Sequence, residues 1–198
     1  MPTRDGNLQQ LLDISQRIVA DSGVATAMAA GERVFARLGS HAGSVRHGAA
    51  ERLAVCAPAV EVVLAGLAAR KPPLPELASA FVAIEGRLRW YRRKTATPAG
   101  EPFYSSHANA LLVGPGGLEE RSDVEVGVTV MAPHIVYPDH DHPPEEVYIA
   151  LSPGEWWNAA MDWTEPGPGG IIYNPPGILH AMRSHAQPFL ALWFLPID

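Results

Sequence analysis

Cysteine is all but missing from this chain, with Cys56 the single one, so no internal disulfide braces the fold and stability must come from a packed core. Cys56 falls in an apolar helical pattern and reads as a buried thiol. Basic charge is short too. Fifteen Lys and Arg face 21 Asp and Glu, giving a formal net charge of −6, which argues against the clustered basic face that a nucleic-acid backbone requires. The one local basic run, Arg87 to Lys94, is broken by Leu88, Trp90 and Tyr91 and reads as a strand with a solvated face. No stretch approaches the ~18 uninterrupted apolar residues of a membrane span. Met1 to Asp13 lacks a basic start followed by an apolar run. The expectation is a soluble cytoplasmic protein, monomer or homodimer, with no membrane and no nucleic-acid partner. Internal repeats and low-complexity segments are absent as well.

What the chain does have is turn chemistry. Nineteen Pro and 18 Gly in 198 residues suit a compact fold with many reversals. The first part has helical period: Leu8, Leu11, Leu12, Ile18 and Val19 form one stripe, with Asn7 as cap. Val24, Met28, Phe35 and Leu38 make a weaker second stripe. Leu53, Cys56, Val60, Val63, Leu64 and Leu67 make the clearest, ended by Lys71-Pro72-Pro73. A short fourth helix carries Leu77, Phe81 and Ile84 and stops near Gly86.

From about Leu88 the period becomes two. Strands are expected at Leu88–Tyr91, Ala110–Val113, Val124–Val130, Ile135–Tyr137, Glu146–Leu151, Glu155–Ala159, Gly170–Tyr173, Ala181–Arg183 and Phe189–Leu195. Many short strands without an intervening long helix indicate a sandwich or barrel. The chain therefore divides into a helical segment, 1–86, packing on a β-barrel, 87–198, that carries the site.

The chemistry concentrates in His140-Asp-His142-Pro-Pro-Glu145-Glu146-Val-Tyr148 and in Pro175-Pro-Gly177-Ile-Leu-His180. Side chains two apart on a strand point the same way, so His140 pairs with His142 and Glu146 with Tyr148. Val147, Ile149 and Leu151 form the apolar face of the second strand. Glu146 then shares the site face with Tyr148, and Glu145 points away unless a bulge intervenes. Imidazoles and a carboxylate are the ligand set of a borderline divalent metal, and three protein ligands leave positions open for substrate.

His-x-His-x-x-x-Glu followed by Pro-x-Gly-x-x-His, with Gly169 six residues before Pro175, resembles the cupin superfamily. The resemblance implies a double-stranded β-helix barrel, mainly β, in which the two motifs meet. Ser184 stands where that pattern often has Asn. A closer likeness runs from His107 to Trp193: His107-Ala-Asn-Ala110, Tyr137-Pro-Asp-His140, His142-Pro-Pro-Glu-Glu146-Val-Tyr148, Tyr173-Asn-Pro-Pro-Gly-Ile-Leu-His180-Ala-Met-Arg and Ala191-Leu-Trp193. This resembles the cupin-type lyases of dimethylsulfoniopropionate (DMSP), the DddQ group, which also begin with several helices. The likeness implies that His142, Glu146 and His180 hold one divalent metal ion, zinc, iron or manganese. It implies that Tyr148 is catalytic, and that Tyr137 and His140 line the substrate site, His140 taking part in catalysis.

The implied reaction cleaves zwitterionic DMSP to dimethyl sulfide and acrylate by β-elimination. Tyr148 would act as a phenolate, and with a free pKa near ~10 ionisation at pH 7 costs roughly 4 kcal/mol, which the metal must offset. An alkaline optimum that moves when the metal is exchanged is expected. The sulfonium, lacking hydrogen-bond donors, suits aromatic faces. Tyr137, Trp156, Trp157, Trp163, Tyr173 and Trp193 are available, Trp193 reading as core. His107, His134 and His185 read as surface or supporting groups. Fold alone leaves other chemistry open, namely an iron dioxygenase, an isomerase or a non-catalytic carboxylate-binding cupin.

Overall fold

The computed structural model describes residues 3–46, 50–93 and 100–198. Four helices open the chain: α1 (Gly6–Ala20), α2 (Ala25–Ser40), α3 (Cys56–Ala68) and α4 (Leu74–Glu85). The expected α1 stripe is buried, but the cap lies two residues earlier than Asn7. Asp5 accepts hydrogen bonds from the Asn7 and Leu8 amides at 3.0 and 3.1 Å. A carboxylate both satisfies these free amides and complements the positive helix end, so it displaces Asn7 from the role. In α2 the buried face is made of small residues. Ala27, Ala30 and Gly31 turn inward with Val34, Phe35 and Leu38, while Val24 and Met28 are exposed. A Cβ on Gly31 would sit 2.6 Å from Val19 Cγ1, so close approach of α1 and α2 fixes the rotation that sequence alone placed wrongly.

The strands form two sheets. The larger runs β1 (Ser44–Val45), β4 (Glu119–Glu120), β3 (His107–Val113), β5 (Val124–Met131), β12 (Phe189–Pro196), β7 (Glu146–Ala150), β10 (Ile171–Asn174), with β2 (Trp90–Tyr91) also paired to β3. The smaller is β6 (Val136–His140), β11 (His180–Arg183), β8 (Glu155–Asn158), β9 (Met161–Thr164). The sheets are not hydrogen-bonded into a closed ring, but the architecture is the mainly β cupin fold that the sequence resembles. Sequence reading missed β1, β4 and β9, which are two to four residues long and carry too few alternations to register.

Parity sorts the core. Val124, Val126, Val128 and Val130 of β5, Leu190, Leu192 and Phe194 of β12, and Val147 and Ile149 of β7 pack against the helices. The alternate residues, Met131, Tyr148, Ala150, Phe189, Ala191, Trp193 and Leu195, pack between the sheets with Ile135, Tyr137, Trp156 and Met182. The large sheet is therefore apolar on both faces, and any polar residue on its inner face stands out. No helix among the described residues is long and apolar enough to cross a membrane.

Candidate functional site

Two turns bring the motif residues together. The Gly177 amide, at φ +67, donates to the His142 carbonyl at 3.0 Å, tying the β10–β11 turn to the β6–β7 turn. His180 pairs with His140 on one side and Asn158 on the other. Glu146 pairs with Asn174. As a result one donor atom from each of His142, Glu146 and His180 lies within 4.8 Å of the others.

Supporting contacts aim these groups. The Nδ1 atoms of His142 and His180 lie 2.8 and 2.9 Å from the carbonyls of Pro144 and Ile178, which can only accept, so each Nδ1 carries the proton. Both Nε2 lone pairs then face Glu146 Oε2, at 3.3 and 3.4 Å. Asn158 donates to Asn174 at 3.0 Å, and Asn174 donates to the same carboxylate oxygen at 3.3 Å. His180 Nε2 is buried without a hydrogen-bond partner. Electron-pair donors converging on one another, with imidazole tautomers fixed by carbonyls, are what a bound cation requires. The three residues fit a metal ion, and their donor types do not choose among zinc, iron and manganese.

The electrostatics are those of a buried, coupled cluster. Burial disfavours charge on His142, but the Glu146 carboxylate outweighs it and its pKa rises. Burial works against the Glu146 anion, and His142 and its fellow imidazoles more than offset that, lowering its pKa. His180 is pushed down by burial. His140 is pushed down to about 3, by burial first and His180 second, so it is neutral with Nδ1 held by the Pro138 carbonyl at 2.8 Å. Tyr148 is buried on the inner face beside Glu146. Burial and that carboxylate push its phenol well above the usual tyrosine value.

Residues 27–191 match the sequence model of the dimethylsulfoniopropionate lyase family. The chain belongs to this family. It is 33% identical over 116 residues to the dimethylsulfoniopropionate lyase DddQ of Ruegeria pomeroyi, a stretch covering 57% of this chain and 57% of that relative. The chain thus aligns with little more than half the length of the curated relative. The crystal structure of DddQ from Ruegeria pomeroyi superposes with TM-score 0.72 at 24% identity, covering 98% of this chain and 93% of that one. A solved structure from work on the lyases RdDddP and RnDddQII gives TM-score 0.69 at 21% identity, over 96% and 92% of the two chains.

In this family member the cluster opens into a cavity of about 310 Å³ lined by His140, His142, Glu146, Tyr148, Tyr137 and Trp193, among others. Glu145 lies outside it. Its carboxylate takes Arg33 at 2.6 and 2.8 Å and the Tyr173 hydroxyl at 3.0 Å, the outward direction that strand parity gives. Of the six aromatics expected as a wall, Tyr137 and Trp193 line the cavity. Trp193 is more than core. Its indole lies over Gly127, where a Cβ would come within 2.1 Å of the ring, and it lines the cavity. Trp156 is wholly buried, Tyr173 faces Glu145, and Trp163 carries the Arg183 guanidinium 4.2 Å above its ring.

In the basic run Arg87, Arg89 and Tyr91 are exposed while Leu88 and Trp90 are buried, the alternation the sequence suggests. Beyond that reading, Tyr91 and Arg93 also line the cavity, where β2 pairs with β3; Lys94 falls outside the described residues. His107 is fully buried, stacked 3.9 Å from Phe103 and set edge-on to Tyr137. His185 instead pairs with Glu155 at 2.7 Å. Ser184, at the place of the usual Asn, accepts from the Ile135 amide at 2.9 Å and donates to the Ala132 carbonyl at 2.7 Å, which anchors the approach to β6.

Missed entirely were Asn109, Glu125 and Thr129. The Trp193 indole donates to Thr129 at 3.1 Å, and Thr129 donates to Asn109 at 2.6 Å. Asn109 donates to the Tyr137 hydroxyl, as does Arg93, each at 3.5 Å. Because the indole can only donate, the direction of the whole chain is set, and the Tyr137 proton is left for the cavity. The signal was available: these residues interrupt the inner face of otherwise apolar strands.

Proposed function

We propose that this chain is a metal-dependent lyase cleaving DMSP into dimethyl sulfide and acrylate, with Tyr148 as the base. The observation that carries the reading is that one cavity is lined by His142 and Glu146 of the imidazole–carboxylate cluster, by a phenol on the next inward strand position, and by the aromatic side chains of Tyr137 and Trp193. His142, Glu146 and His180 would hold the divalent ion. When bound, it withdraws charge from a captured carboxylate and stabilises anions beside it.

The remaining work belongs to the chain. Tyr148 takes the proton from the carbon next to the substrate carboxylate; that C–H pair becomes the new double bond, and the sulfur leaves with the C–S pair as neutral dimethyl sulfide. Burial and Glu146 keep Tyr148 protonated while the cluster lacks added positive charge, so base strength and metal occupancy are linked. His140, uncharged, offers an acceptor Nε2 in the cavity wall. The Tyr137 proton and the Arg93 guanidinium supply donors for an anionic substrate group. Trp193 and the tyrosines offer π faces to the sulfonium, worth ~0.5–2 kcal/mol each.

The test is release of dimethyl sulfide and acrylate, in equal amounts, from DMSP by purified metal-loaded protein. Metal-loaded protein that binds DMSP but releases neither product would overturn the lyase reading.

A further inference from the structure

The inner face of β5 carries Glu125, Gly127, Thr129 and Met131. Met131 fills the core between the sheets, Thr129 links Trp193 to Asn109, and Gly127 makes room for the indole. Glu125 has no such account. It lines the cavity wall, and its carboxylate makes no hydrogen bond or ion pair among the described residues. A half-buried carboxylate on an apolar inner face is costly unless something positive meets it. Burial accordingly pushes its pKa up, with His142 opposing.

Its neighbours are suited to an unusual cation. Glu125 is paired with Leu195 and stands two residues, about 7 Å, along β5 from Gly127, over which the Trp193 ring lies. Tyr91 is close enough that the Glu125 charge adds to burial in raising its phenol to about 12. Tyr91, Trp193 and apolar Leu195 and Ile197 line the same cavity as the carboxylate. Arg93, His142 and Glu146 line the same cavity, and His180 completes the cluster behind them. One chamber therefore combines groups suited to an anion, Arg93 and the metal-ligand cluster, with a carboxylate and π faces suited to a cation. A trialkyl onium has no N–H to donate, so it can be held only by undirected Coulomb attraction and aromatic quadrupoles.

We propose that Glu125 is the counter-ion for the onium end of a zwitterionic substrate and makes the cavity select such compounds over analogues of the same shape that lack the onium charge. The inference rests on the lyase reading for the identity of the zwitterion, but charge selection requires no turnover.

The test measures calorimetrically the binding of 3-(trimethylammonio)propionate and of 4,4-dimethylpentanoate, the isosteric carboxylate that lacks the onium charge, to the metal-loaded parent, Glu125→Gln and Glu125→Asp. The parent should favour the ammonium compound. Glu125→Gln should weaken that compound by about tenfold, the scale of one partly screened ion contact, and leave the isostere within about twofold. Glu125→Asp should keep most of the preference, which a merely structural role for the side chain does not predict. In turnover, KM for DMSP should rise in Glu125→Gln by more than kcat falls. A ratio of the two affinities unchanged between parent and Glu125→Gln overturns the proposal, and dimethyl sulfide release by the parent would then leave the lyase reading standing. Charge selection lost in Glu125→Gln, in a parent that releases no dimethyl sulfide, keeps Glu125 in this role and removes the lyase reading.

Discussion

Gly127→Ala is the substitution whose consequence the structure defines best. A Cβ at that position would lie 2.1, 2.4 and 2.5 Å from Cζ2, Cη2 and Cε2 of Trp193, where ordinary contact begins at 3.4 Å. The indole must move by about 1.3 Å, and its own strand is held between β5 and β7. Overpacking of this kind costs about 1–3 kcal/mol, and loss of the 3.1 Å bond to Thr129 adds about 1 kcal/mol. A total of roughly 2–4 kcal/mol corresponds to a Tm lower by about 4–16 °C in a chain of this size. Because the ring can yield only into the cavity, KM for DMSP should rise while metal content stays at the parent's level. Thermal unfolding, indole fluorescence and metal analysis on the same sample check this. A Tm within a degree of the parent and an unshifted emission spectrum would contradict the close packing of the Trp193 ring on Gly127.

Other expectations follow from the same geometry. Asn174→Ala removes the amide that holds Glu146 Oε2, and metal affinity measured against a chelator should fall by about 10–100-fold with the fold intact. Thr129→Val interrupts the donor chain from Trp193 to Tyr137, and should raise KM for DMSP several-fold without lowering metal content. Arg33 and Tyr173 lower the folded pKa of Glu145, so this pair stabilises above the ordinary carboxylate range and its contribution is lost as pH falls through the lowered value. With Arg33 half exposed the effect is at most about 1 kcal/mol, and Glu145→Gln should flatten the acid limb of a Tm-against-pH curve.

The two motifs and the strand that bears Glu146 and Tyr148 were legible because period two is unforgiving: Val147 and Ile149 had to face the helices, which sends Glu146 inward and Glu145 toward Arg33. The cupin fold was legible for the same reason, with its strands bounded by Gly and Pro. The cap at Asp5 and the rotation of α2 were not, since both depend on tertiary approach, in particular Gly31 against Val19. Trp193 read as core because an apolar run hides which alternate residues face a cavity. Tyr91, Arg93, Asn109, Glu125 and Thr129 come from strands distant in sequence from the motifs, and only the pairing of β2, β3, β5 and β12 gathers them. On β5 the polar residues at alternate positions were nonetheless a visible departure from an apolar face.

The central claim is that Tyr148, as phenolate beside the His142–Glu146–His180 cluster, removes the substrate proton. It is tested most directly by comparing dimethyl sulfide release from DMSP by parent and Tyr148→Phe at equal, measured metal occupancy. The account predicts a loss of about 100-fold or more in kcat for Tyr148→Phe, the scale of a positioned general base, with DMSP binding retained. Turnover by that variant within a few-fold of the parent would contradict it.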